Sequence, residues 1–159
     1  MPGCADIVLL AEYNAGMNRK LYDAAARPAP EALRADRKAF FGSLLGTMNH
    51  LVAADTIRLA RFTLHPTAFR ALDPLRGVAI PGNLTQSYGD EAELREDDLA
   101  QALVYRNTRG QGFRKPFGSL LLHFFNHQTH HRGQASTLLT QAGVDIGVTD
   151  LLVSIPDAD

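Results

Sequence analysis

The sequence contains a single cysteine, Cys4, in 159 residues. No disulfide can form within the chain, which fits a reducing compartment. Cys4 lies in a disordered-looking start, and terminal residues are rarely held in fixed geometry, which argues against a nucleophilic role. No apolar run approaches the roughly 18 residues that a membrane span needs. No dense run of lysine and arginine occurs either: 16 basic residues face 17 acidic ones, and the formal charge is −1. Nucleic acid and anionic membrane surfaces are therefore poor partners. The first residues lack the basic start and cleavage site of a signal peptide, so a cytoplasmic location is expected. No segment shows the alternation of a half-buried strand. What remains is a chain with 45% apolar and 21% charged residues, ordinary for one globular domain over residues 1–159.

Helical spacing dominates that chain. Ile7, Leu10, Met17 and Leu21 predict a first helix over Asp6–Ala26, ended by Pro28 and Pro30. Asn14 interrupts its apolar stripe and Asn18 follows four residues later, so both need polar partners. A short helical piece is expected around Glu31–Ala35. A second long helix, from Lys38 or Ser43 to Leu64, carries Phe41, Leu45, Met48, Val52, Leu59 and Phe62 on one face. Its other face carries Gly46, His50, Ala53, Ala54, Ile57 and Ala60. Two apolar faces predict a central helix. The Gly42–Gly46 spacing is read as tight packing. Thr67–Gly89 is a long connection punctuated by proline and glycine, with a brief extended piece at Val78–Ile80. A third helix is expected over Asp90–Asn107, its acidic first turns complementing the helix dipole and facing solvent. Pro116 opens a fourth helix to Gln141, and Gly143 caps it. Leu151, Leu152, Val153 and Ile155 suggest that part of the tail packs on the helices. Four long helices with one long crossover define an all-α four-helix bundle.

The fourth helix holds the chemistry. His123, His127, His130 and His131 are four of the chain's six histidines. With His127 set at zero and a turn of about 100° per residue, His131 falls at roughly 40°, beside Phe124 at roughly 60° and Leu138 at roughly 20°. His123 and His130 fall at about −40° and −60°, toward the polar side. A buried pair of histidines four residues apart is either a hydrogen-bonded core feature or a pair of metal ligands. Leaving two neighbouring imidazoles desolvated without a partner is costly. His50 lies on another apolar helix, and Asn126, Gln128 and Gln134 are close enough in sequence to orient ligands. A site formed by His50, His127 and His131 follows, suited to a divalent transition metal, with Zn or Ni foremost and Fe also compatible. Asp55, about 140° around the helix from His50, is no obvious orienter.

The stretches NHQTHHRGQ, GTMNHLVAADTIRLARF and AEYNAGMNRKLYDAA resemble the DinB family, over about Asp6 to Gly143. The resemblance implies a four-helix bundle of the DinB/YfiT type, a homodimer, and a divalent metal on His50, His127 and His131. It implies no ligand role for His123 or His130. Many relatives of this subgroup carry tryptophans near positions 16 and 58. This chain has Gly16 and Arg58 there and no tryptophan at all, which puts an aromatic wall to the site in question. Arg58 is read as pointing to solvent. Some similar proteins transfer low-molecular-weight thiols, so a metal-dependent enzyme that activates or transfers such a thiol to an electrophile is the expected function. The rival readings are a non-catalytic metal-binding stress-response protein and a metal-dependent hydrolase.

Overall fold

A computed structural model of the chain describes residues 2–62 and 94–158. These residues are mostly helical, with one small two-stranded sheet. In order they form α1 (Cys4–Ala25), α2 (Pro30–Arg34), α3 (Leu44–Phe62), α4 (Glu96–Ala100), β1 (Ala102–Arg106), β2 (Gly112–Pro116), α5 (Phe117–Gln141) and a 3-10 turn at Leu151–Ser154. No helix among them is long and apolar enough to cross a membrane. The expected connection at Thr67–Gly89, with its extended piece at Val78–Ile80, lies outside the described residues.

Local chemistry sets the helix ends. The Gly3 N–H donates to Asp6 Oδ2 at 2.9 Å, and the Cys4 N–H to Glu96 Oε1 at 2.8 Å. Two of the donors that a helix start leaves open are thus satisfied. Cys4 is therefore part of α1 and not of a disordered start. Ser43 Oγ accepts the Gly46 N–H at 3.0 Å just before α3, the usual office of an N-cap serine. At the end of α5, Gly143 has φ 78°. Its N–H donates to the Thr140 carbonyl, and the Val144 N–H to that of Leu139. This is a Schellman cap, which glycine adopts without steric penalty.

The third long helix expected over Asp90–Asn107 is not formed across residues 94–107. A single helical segment, α4, gives way to the antiparallel hairpin β1–β2, with Ala102 opposite Pro116 and Arg106 opposite Gly112. The acidic segment does cap, but Asp98 is buried and not solvated. Its Oδ2 accepts the Arg95 N–H at 3.0 Å.

The core has two apolar halves. Ile7 and Ala11 of α1, Leu59 and Phe62 of α3, Leu99, Leu103, and Phe117, Leu121, Phe124 and Phe125 of α5 form one. Leu21, Ala24 and Ala25 of α1, Leu44 and Leu51 of α3, and Ala135, Leu138 and Leu139 of α5 form the other. The order of these residues makes α1 and α5 run the same way and α3 the opposite way. The turns between the halves carry the buried polar residues Asn14, Asn18, Asp55, Gln128, His131 and Arg132. Helix α5 packs on α1, α3, α4 and β2 and is the central helix among the described residues. The expectation that α3 would be central is corrected: Ala53 and Ile57 on its second face are exposed. The tail is tied down by Tyr13 Oη donating to the Thr149 carbonyl at 2.5 Å. Part of the tail packs on the helices as expected, through Val144 and Ile146, while Leu152, Val153 and Ile155 are exposed.

Candidate metal centre

His50 projects from the second turn of α3, and His127 and His131 from consecutive turns of α5. The antiparallel pairing of these helices brings the three together in the polar band. One ring nitrogen from each lies within 4.8 Å of the others. His50 Nε2 and His127 Nε2 are 3.2 Å apart. Two nitrogens held at 2.0–2.1 Å by a tetrahedral ion would be separated by about 3.3 Å, so this donor pair fits one ion. His131 Nδ1–H donates to Gln134 Oε1 at 2.8 Å. That bond fixes the tautomer and leaves the Nε2 lone pair free, as a ligating imidazole requires.

The wall left in question by the missing tryptophans is supplied by Phe41. Its ring stacks on His50, with centroids 4.1 Å apart and planes 19° apart, and meets His131 edge-on at 5.4 Å. Phe41 is held there by a close backbone approach. A Cβ on Gly46 would run into the Phe41 carbonyl, so the Gly42–Gly46 spacing serves packing within the chain. Gly42 itself turns with φ 74°.

Arg58 does not point to solvent. It is half-buried, with Nη1 donating to His127 Nδ1 at 3.3 Å and Nη2 to His123 Nε2 at 3.5 Å. Eight residues after His50 it stands about two turns further along α3 and roughly 80° around it, still within reach of α5. His123 and His130 are exposed and stand outside the three-histidine group. Gln134 Nε2 donates to His130 Nε2 at 3.3 Å. Asn126 is exposed, and Gln128 turns away from the histidines.

Burial, then the charge of Arg58, then the neighbouring rings press His127 down to about 3. Burial, His131 and Arg58 also lower His50, and burial and Arg58 lower His123. His127 and His50 are thus held in the neutral form that binds metals.

Gln128 belongs to a second network behind the site. Its Nε2 donates to Asp55 Oδ2, and its Oε1 accepts from Arg132 Nη1 at 3.4 Å. The same Nη1 donates to Asn14 Oδ1 and, at 3.2 Å, to Asn18 Oδ1. These are the partners that the two asparagines required. Asp55 bonds no histidine, and its Oδ1 is buried without a hydrogen bond among the described residues. Burial raises its carboxyl to about 6, opposed by Gln128, Arg58 and Arg132. Nothing in the sequence alone marks Arg132 or Phe41 as supporting the site. The asparagines at positions 14 and 18 signalled that a buried donor was needed, but not which one.

Fold and site together define a mostly helical protein in which two antiparallel helices present three imidazoles to one point, a donor set that could bind a metal ion. The family comparison agrees with that class: the DinB family model matches residues 1–157, and the chain belongs to the DinB family. No curated protein and no solved structure matches it significantly.

Proposed function

We propose that His50, His127 and His131 hold a divalent transition ion, Zn or Ni foremost and Fe also compatible, and that the protein is an enzyme transferring or activating a low-molecular-weight thiol. The observation that carries this reading is the convergence of three ring nitrogens within 4.8 Å. Three protein ligands leave a tetrahedral ion an open position, which favours ligand capture over a closed structural site. When bound, the ion supplies the Lewis acidity that keeps a thiol in its reactive thiolate form. Phe41 orients His50 by stacking and Gln134 orients His131 by its hydrogen bond. Among the described residues no carboxylate touches the histidines to serve as a general base; Asp55 is committed to Gln128. Thiol activation asks only that the ion hold the thiolate, and activation of a water by the same ion is the corresponding hydrolytic alternative. The finer expectations belong to the same reading: a four-helix bundle of the DinB/YfiT type in one domain, supported by the three long helices, acting as a cytoplasmic homodimer on a small thiol and an electrophile.

The test is turnover of a panel of small thiols with 1-chloro-2,4-dinitrobenzene by Zn- and Ni-loaded protein. Metal-dependent turnover that His50→Ala abolishes is expected. Metal binding that raises thermal stability, without turnover of any thiol, would instead favour the non-catalytic stress-protein reading.

A further inference from the structure

We infer that the site selects an anionic substrate, a small thiol carrying a carboxylate, and that Arg58 is the residue that reads that charge; this rests on the metal reading above. Among the described residues no carboxylate stands in contact with the Arg58 guanidinium, although the charge of Asp55 bears on it. None of the ion pairs among the described residues involves it, and Asp55, one turn earlier on α3, gives its Oδ2 to Gln128. What Arg58 touches instead are two imidazole nitrogens, at 3.3 and 3.5 Å. These separations are long for hydrogen bonds from a cation, which run shorter and stronger to an oxyanion.

The contact with His127 also conflicts with metal binding. A guanidinium only donates, so His127 Nδ1 must accept, and the proton of the neutral ring then sits on Nε2. That nitrogen is the one facing His50. A neutral ring that gives Nε2 to an ion carries its proton on Nδ1, where it opposes the N–H of Arg58. Occupation of the three-histidine site and the Arg58–His127 hydrogen bond therefore exclude one another. With the site filled, Arg58 would lose His127 as an acceptor and its planar fork would be free beside the histidines. A divalent charge and a guanidinium would then share a half-buried site with three imidazoles, more positive charge than the single carboxylate of Asp55, already engaged by Gln128, can offset. The flank formed by Phe41 over His50 and His131 is apolar. Arg58, on the His127 and His123 flank, is the place for the charged end. A carboxylate matches its fork in bidentate fashion, and a lysine could not reproduce that geometry.

The experiment uses Co(II)-loaded full-length protein and two matched probes, 3-mercaptopropionate and 3-mercaptopropionamide, titrated by the sulfur-to-cobalt charge-transfer absorbance. Wild type is expected to bind the carboxylate probe roughly tenfold more tightly than the amide, the scale of a charge-assisted hydrogen bond in a half-buried site. In Arg58→Gln the ratio should fall to near one. Co(II) itself should bind that variant at least as tightly as wild type, because a competing donor and a like charge are gone. Co(II) binding and an unchanged helical circular dichroism spectrum establish that the variant is folded. Equal binding of the two probes by wild type, or a ratio that survives Arg58→Gln, overturns the inference while leaving the metal site standing. Failure of wild type to bind Co(II) overturns both.

Discussion

The buried polar residues behind the histidines are in tension with each other. Asp55 is 3% exposed and has one oxygen on Gln128 and the other on nothing among the described residues. Burial lifts its carboxyl from 3.8 to about 6. Folding therefore takes up a proton between these values, and the stability linked to it is fully present below pH 3.8 and lost as the pH rises through about 6. At pH 8 the wild type carries a buried carboxylate that Asn would replace with a neutral amide still able to accept from Gln128. Asp55→Asn is expected to be more stable than wild type at pH 8 by about 1–2 kcal/mol, with the advantage shrinking below pH 5. Urea unfolding at the two pH values measures it; a variant destabilised equally at both would show that the carboxylate is needed as such. At this scale the sequence was informative where position around a helix decides contact. The angular reading separated His127 and His131 from His123 and His130. It failed at Arg58, because a long cation on a helix is solvated by default, and only the location of α5 shows that this one reaches His127.

Elements were legible where their boundaries are marked by chemistry. Pro116 and Gly143 bracket α5, and Ser43 stands immediately before α3. The hairpin was not legible. Leu99 and Leu103, four apart and both buried, imitate a helical stripe, while β1 is only five residues long. The decisive feature is the loop between the strands. Asn107 Oδ1 accepts the N–H groups of Arg109 and Gln111, each at 2.9 Å, and Gly110 turns with φ 79°. That Asn-x-x-Gly turn competes successfully with helix continuation. Two glycines of the helices make contrasting tests. A Cβ at Gly46 meets the Phe41 backbone, whereas at Gly133 it meets nothing within 4 Å. Gly133→Ala should therefore stabilise by about 0.5–1 kcal/mol through helix propensity. Gly46→Ala should destabilise by about 1–3 kcal/mol as Phe41 is pushed off His50. Chemical denaturation of the pair checks both signs. Equal effects would mean that the Phe41 approach does not hold the site in place.

Across the molecule, the arrangement is two apolar halves joined through a polar middle. Each of α1, α3 and α5 contributes apolar residues to both halves and polar ones between them. One side of that middle is closed by Arg132 with Asn14, Asn18, Gln128 and Asp55; the other presents His50, His127 and His131. The sequence pointed to mostly helical architecture and to the histidines, because periodicity and ring chemistry are properties of single helices. It did not reveal which helix is central. That depends on how much side chain each face can bury, and the small second face of α3 buries little. An ion on three histidines would join α3 to α5 across this middle, so metal binding is the claim on which the functional account depends. Elemental analysis of tag-free protein beside His127→Ala tests it directly. Close to one equivalent of Zn, Ni or Fe in the wild type, lost in the variant, is the expected result. Wild-type protein that holds no transition metal even after incubation with Zn and Ni would contradict it, and the three imidazoles would then be a buried cluster without an ion.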